Sequence, residues 1–551
     1  MNEPKRSASI RWLRELPRAV IAAFVCCFLA GYIVHLFAFT NILPNADGIS
    51  RVSDAQQMTI SGRWFLHYAT AWNGYLQAPA VIGFFSVFFL SLASSLTVSL
   101  LRVRSAAAGG LIGVLMIVFP SVAFTYLYLF TASAYCFGIL LAVLAVWLTA
   151  RYRWGVVPGV LLLACAVGTY QAYLAVAVSL ALISVILFTL EGEHDLKQVF
   201  LTGLKQLLLL ILGLAVYFLV LRIFLKVKDL TLLNYKGIGA LGEDLSLKSL
   251  LEMVGSAYKE FVRYFFVPRS FALYTSPAAV AGNAALALAG LWAFIRLIVR
   301  NGLLKRPGVL ILVLILCCLL PLALNLTVLM DEAMPIMRYA LVFAYVLALA
   351  LVDQAAAQSL PLEGKVAPPQ AETDEVASVS PRRLTIPRIA ALCAALLLGL
   401  VSFQTDNTVY TMSATAHRAT ESFATRLVER VESTPGYVNG MEVVIIGGFP
   451  RNVYYSEIDA FLEIEDYSNL SSTVTPLTKQ VYYYLNDWLN VPWHEPAEDT
   501  LKAVSDSEAF RAMPLYPSDG SIVIQDGRVI VKLARKYTPK KDYEIAYENR
   551  R

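Results

Sequence analysis

Eleven apolar runs separated by polar turns fill the first 404 residues, at approximately 18–40, 79–101, 106–124, 130–150, 156–170, 172–190, 206–226, 278–298, 308–329, 335–353 and 388–404. A helix needs about 20 residues to cross a hydrocarbon core roughly 30 Å thick, so each run predicts one transmembrane helix. The stretch 156–190 is interrupted only by Thr169, Tyr170 and Gln171; it is too long for a single crossing and is divided there. Beyond residue 404 the pattern changes. Charged helical sequence at about 409–433 precedes the strand-like Val443, Val444, Ile445 and Ile446, and a helix is expected at 475–489. Two β-branched runs joined by Gln525-Asp526-Gly527 then signal a hairpin. The chain reads as a polytopic α-helical membrane protein, with a transmembrane domain over 1–404 and a small extracytoplasmic α/β domain over 405–551.

The basic residues set the orientation. Lys5, Arg6, Arg11, Arg14 and Arg18 precede the first run, Arg102 and Arg104 follow the second, and Arg151 and Arg153 follow the fourth. Arg296, Arg300, Lys305 and Arg306 follow the eighth, and Arg382, Arg383 and Arg388 precede the eleventh. With eleven crossings all these clusters fall on one side, which the positive-inside rule makes cytoplasmic. The amino terminus is then inside, and residues 41–76, 227–277 and the tail from about 405 lie outside. The Pro-, Ala- and Glu-rich segment 355–387 becomes a cytoplasmic linker with the composition of a disordered one.

Composition narrows the function classes. Of 551 residues 58% are hydrophobic and 15% charged, a balance no soluble fold carries, and a net charge of +5 gives no footprint for nucleic acid. The seven cysteines all lie in apolar runs, and His35, His67, His194, His417 and His494 are scattered, so neither a disulfide framework nor a metal ligand set is expected. No cofactor is expected.

Candidate chemistry is concentrated in the outward segments. Asn45-Ala46-Asp47-Gly48 puts a carboxylate just past the first span, where it could take a proton from an acceptor hydroxyl; an ordinary interfacial turn explains the same residues. Arg63, Arg263, Arg269 and Arg338 are placed to bind a phosphate through the guanidinium fork, or to snorkel to lipid headgroups. Arg338 lies just inside the tenth run, where lipid exposure is costly, and pairing with Asp331 or Glu332 is its structural alternative. Tyr170 and Gln171, at the tip of the short fifth run, are candidates for holding a sugar. Tyr126, Tyr128 and Tyr135 fit an aromatic belt. Leu247, Leu250, Leu251, Val254 and Tyr258 predict a helix along the membrane surface that roofs the site.

Three motifs carry a family likeness: Asn45-Ala46-Asp47-Gly48 with Ser61-Gly62-Arg63-Trp64, Gly168-Thr169-Tyr170-Gln171-Ala172-Tyr173, and Asp406-Asn407-Thr408-Val409-Tyr410 leading to Tyr437, Gly440 and Val443–Gly447. With these the chain resembles the serotype-converting membrane glucosyltransferases, a branch of the GT-C glycosyltransferases. The resemblance implies a GT-C-like fold in a bacterial inner membrane. The reaction would be transfer of glucose, or another hexose, from undecaprenyl-phosphate-sugar to a cell-surface glycan such as an O-antigen. It implies Asp47 as general base, Arg63 and Arg338 on the donor phosphate, Tyr170 and Gln171 at the sugar, and no required metal. Ala46 stands where many relatives carry an adjacent acid, which makes Asp54 a second carboxylate candidate. A transporter or flippase of a lipid-linked sugar is the competing class, and a structural partner of a glycan-assembly complex a third. A transporter would want polar groups at mid-span in several helices and function on both faces.

Overall fold

A computed structural model of the chain describes residues 16–43, 45, 47–49, 53–232, 247–268, 276–329, 334–357, 385–450, 475 and 477–538. Each of the eleven apolar runs contains helix: α1 (Arg18–Thr40), then, after a short α2 (Leu66–Thr70), α3 (Pro79–Leu100), α4 (Ala106–Val118), α5 (Pro120–Tyr126), α6 (Leu129–Arg151), α7 (Val156–Thr169), α8 (Tyr173–Leu190) and α9 (Leu196–Val227). After α10 (Leu247–Phe266) follow α11 (Pro277–Arg300), α12 (Pro307–Leu324), α13 (Val342–Ala357) and α14 (Ile386–Glu432). Among the described residues nine helices are long and apolar enough to cross a membrane, and ten if the α4–α5 pair is one bent span. The apolar α7 has 14 residues and is about 21 Å long, short of a full crossing. The linker residues 358–384 lie outside the described residues.

Three elements depart from the pattern read in sequence. The run 106–124 bends by 42° at Phe119, whose extended backbone (ψ 132°) is what a following proline demands. The helix expected at 206–226 begins ten residues earlier, because Asp195 and Gln198 form a reciprocal capping box at its start. The eleventh run and the charged helix after it are one uninterrupted helix of 47 residues, about 70 Å by its rise, so the boundary at 404/405 falls within α14.

Close packing of α1 on α4 rests on missing side chains. A Cβ at Gly109 would come within 2.3 Å of the Ala19 carbonyl oxygen, and one at Gly113 within 2.3 Å of that of Ala23. Small residues at four-residue spacing let the two backbones touch, which is how helices gain packing energy where solvent offers no hydrophobic drive. Polar bonds tie the basic segments together at one end of the bundle. Arg102 reaches both oxygens of Glu191 (2.7 and 2.9 Å), Arg306 donates to Gly192 O (2.8 Å) and Arg388 to Ser105 Oγ (3.0 Å), while Asp353 accepts from the Arg104 amide (2.6 Å).

The C-terminal part holds β1 (Glu442–Ile446), α15 (Thr478–Leu489), α16 (Glu498–Asp506), α17 (Glu508–Ala512), β2 (Ile522–Gln525) and β3 (Arg528–Lys532). The sheet order is β1-β3-β2, with β1 parallel to β3 and β2 antiparallel to it. The β2–β3 hairpin turns at Asp526 and Gly527, both at positive φ, as a two-residue turn of that sequence requires. Val443, Val444, Ile445 and Ile446 are all buried because both faces of β1 are covered: Val444 and Ile446 pack with Leu501, Phe510 and Ile530, and Val443 and Ile445 face the larger core. The Tyr482 hydroxyl accepts from Ile445 N (2.7 Å) and donates to Val443 O (2.8 Å), filling the place of a strand at the open edge of β1.

Candidate functional site

The loop between α1 and α3 supplies the first half of the site. Thr59–Ser61 forms one 3-10 turn, ended by Gly62 in the left-handed region (φ 78°). A Cβ on Gly62 would lie 2.5 Å from Gln171 Nε2 and 2.7 Å from the Tyr217 hydroxyl, so glycine is required by conformation and by space. Both neighbours bind the loop backbone: Gln171 donates to Ser61 O (2.7 Å) and Tyr217, on α9, donates to Gly62 O (3.1 Å). The Phe65 amide donates to Gly168 O (2.8 Å), and Gly168 has no room for a Cβ against the Trp64 indole, 2.6 Å away. The loop is thereby knit to the turn joining α7 and α8.

Arg63 projects from this frame into tyrosines. Its guanidinium carbon lies 4.8 Å over the Tyr170 ring and Nη1 donates to the Tyr135 hydroxyl (3.2 Å). Tyr135 stacks on Tyr170 at 4.7 Å and 11°, and Tyr173 meets both rings edge-on. The arrangement seats the guanidinium on one aromatic face and orients its planar fork. Tyr170 is buried and Gln171 half-buried. Tyr126 and Tyr135 are buried inside the protein, so the belt expected for them is not where they sit. Tyr217 was not singled out by the sequence, since a lone tyrosine in an apolar run carries no pattern.

Arg338 forms a second cluster. Its described carboxylate neighbour is Glu260 on α10, with Nη1 3.8 Å from Oε2, while Glu260 Oε1 accepts from Arg263 (2.8 Å). Asp331 and Glu332, the partners expected from sequence, and Arg269 lie outside the described residues. The predicted surface helix is present as α10, pinned by side chains from the neighbouring spans: Asn325 donates to Ala257 O (3.1 Å) and Asn283 to Phe265 O (2.9 Å). Its Tyr258 hydroxyl donates to the Cys318 carbonyl.

The two carboxylate candidates differ sharply in setting. Asp54 is half-buried, with one oxygen accepting from the Gln56 amide (2.8 Å) and the other from the Gln56 side chain (2.8 Å). Asp47 is exposed, at the tip of a turn in which Asn45 Oδ1 accepts from the amides of Asp47 (3.1 Å) and Gly48 (2.8 Å). Gly48 is buried flat on the Phe130 ring, where a Cβ would come within 3.1 Å. Phe130 and Tyr135 are five residues apart on α6, about 7.5 Å along its axis, so one helix carries the floor of the Asp47 turn and the hydrogen-bond partner of Arg63.

A buried polar group lies apart from these. His35 Nε2 donates to Ile117 O (2.9 Å), so its Nδ1 accepts from the Tyr410 hydroxyl (2.7 Å). One turn below Tyr410 on α14 is the fully buried Asp406. This links α1, α4 and α14, and it gives a structural part to the Asp406–Tyr410 motif.

A bundle of apolar helices with arginines, tyrosines and carboxylates near the helix ends is a multi-pass membrane protein. The family model described as Glucosyl transferase GtrII matches residues 36–352, or 317 of 551, and the chain belongs to that family. The matched stretch contains Asp47, Asp54, Arg63, Tyr170, Gln171, Glu260 and Arg338, and leaves α14 and the C-terminal α/β part outside. Comparison with curated proteins and with solved structures gives no match. The family establishes the reaction class as glycosyl transfer by a membrane-spanning protein.

Proposed function

We propose that the protein moves a hexosyl group, glucose by the family's description, from a polyprenyl-phosphate sugar to a cell-surface glycan on the outer side of a bacterial inner membrane. The observation that carries the reading is the placing, by one helix, of an exposed carboxylate turn on Phe130 and an aromatic-seated arginine beside Tyr135. A polyprenyl donor brings a phosphate to the membrane surface, where Arg63, seated on the Tyr170 ring, is the cation for it. Arg338, beside Glu260, is the second cation for that phosphate. Asp47 takes the proton of the acceptor hydroxyl as its oxygen attacks the anomeric carbon. The bond from that carbon to the phosphate oxygen breaks, and the electron pair leaves on the lipid phosphate, whose charge the arginines stabilise. A single displacement needs one base and this clamp, not a pair of carboxylates on opposite faces. Gln171 is engaged with Ser61 O and Tyr170 is buried against Tyr135 and Arg63, so the part of both in sugar binding runs through the frame they hold.

For topology we propose eleven crossings, amino terminus inside and carboxy terminus outside, with α7 as the short fifth span. The joined basic segments at one end of the bundle support this, and the Asp47–Arg63 end then faces outward. A carboxy-terminal alkaline phosphatase fusion is expected to be active and a fusion at residue 365 inactive; the reverse would remove the outward site. The purified protein, given a radiolabelled polyprenyl-phosphate hexose, is expected to label surface glycan. Movement of intact lipid-linked sugar between leaflets without transfer would instead support a flippase.

A further inference from the structure

The C-terminal α/β part reaches back to the turn that carries Asp47. The Trp488 indole N–H, on α15, donates to the carbonyl of Ile49 at 2.9 Å, across 439 residues of sequence. Ile49 is buried, two residues past Asp47, and Gly48 between them lies on Phe130. The turn is therefore gripped from three sides: Asn45 holds the Asp47 and Gly48 amides, Phe130 supports Gly48 from the membrane domain, and Trp488 holds the Ile49 carbonyl from the C-terminal part. The Asp47 side chain is exposed. Trp488 is itself oriented. It stacks on Tyr484 at 9° and meets His417 of α14 edge-on at 5.3 Å, so the long helix and α15 together aim its single donor.

We propose that the C-terminal part is an orienting element for the acceptor-side carboxylate, and that Trp488 is a positioning residue that acts through Asp47. The inference rests on the reading of Asp47 as general base. Its physical basis is that a base on an exposed turn is effective only if its backbone is fixed, since displacement of about 1 Å from a productive geometry costs on the order of 100-fold in rate. The membrane domain by itself supplies a floor and a local turn; the clamp on the far side comes from a part of the chain outside the family match.

The test uses the full-length protein in lipid nanodiscs. Trp488→Phe keeps the ring against Tyr484 and His417 and removes the N–H. It is expected to lower kcat about tenfold, the scale of one lost hydrogen bond, with donor KM and thermal midpoint unchanged. Hydrogen exchange at the Asp47 and Gly48 amides should quicken in the same variant. Gly48→Ala, whose Cβ would press on the Phe130 ring at 3.1 Å, should give the same two signatures from the membrane-domain contact. In an Asp47→Asn background Trp488→Phe should cause no further loss. An independent tenfold loss in that background, or a fall in kcat with exchange unchanged, would overturn the proposal. So would quickened exchange with full turnover. A fully active Asp47→Asn variant would sink the base assignment and the catalytic half of this inference with it, and the exchange measurement would still decide whether Trp488 holds the turn.

Discussion

Two stretches of the segment between α1 and α3 carry the proposed site residues and are held by different means. Residues 59–66 are fastened by the spans and the turn between two of them: the Gln171 side chain on Ser61 O, the Tyr217 hydroxyl on Gly62 O, and a backbone bond from the Phe65 amide to Gly168 O. Residues 45–49 rest on an asparagine turn, a phenylalanine floor and a tryptophan from the far end of the chain. The arginine side is thus built into the membrane bundle, with its geometry as rigid as the packing of α7, α8 and α9. The carboxylate side depends on how the C-terminal part docks.

The sharpest way to break the comparison is at Gly62. Gly62→Ala imposes a Cβ in a left-handed backbone and against two hydrogen-bonding side chains, and is expected to cost roughly 2 to 5 kcal/mol. The measurement is the thermal midpoint in detergent, with donor binding lost in parallel; a variant of unchanged midpoint would show that the loop is not tied as described. Next in size is Asp47→Asn, which keeps shape but cannot accept a proton. Turnover should fall about 10²-fold with little change in donor binding. Asp54→Asn is its control and should be mild, because an amide oxygen can still accept from the Gln56 amide. Normal turnover in the first and none in the second would move the base seven residues along the loop.

Arg338→Lys retains charge and loses the fork, and is expected to weaken donor use by about 1.5 to 3 kcal/mol with folding intact. Wild-type donor kinetics would assign Arg338 to its pairing with Glu260. The smallest effect concerns His417. Burial against Tyr484 and Trp488 lowers its pKa below the ordinary histidine value, with Glu421 opposing the shift. The folded state then binds fewer protons at this site than the unfolded one, so the stability it contributes is full above the ordinary value and declines as pH falls below it. The thermal midpoint of the wild type should drop slightly more between pH 7 and pH 5 than that of His417→Asn, and equal drops would remove His417 from the account.

Periodicity and hydropathy located the helices because burial in lipid imposes one requirement, about 20 apolar residues, that any crossing must meet in its own sequence. The hairpin at Asp526-Gly527 was legible for a similar local reason, since only such residues accept positive φ at both turn positions. The site was legible in part. Arg63, Tyr170 and Gln171 stood out by charge or polarity at a span end, and the structure joins them in one frame. Glu260, Tyr217 and Trp488 did not stand out. Each is an ordinary residue for its element, and its importance lies in the atom across from it.

That division also describes the molecule at large. The sequence by itself determined the membrane class, the approximate helix positions, and the short list of charged groups near the span ends. All of these are decided by residues within a turn or two of one another or by the solvent each must meet. Tertiary structure alone decided that Tyr126 and Tyr135 are interior, that Arg338 faces Glu260, and that Trp488 touches the carbonyl of Ile49. The last two are contacts between parts of the chain 78 and 439 residues apart, and no local preference encodes them, because each arises only when packed helices bring two unrelated surfaces within hydrogen-bond or ion-pair distance.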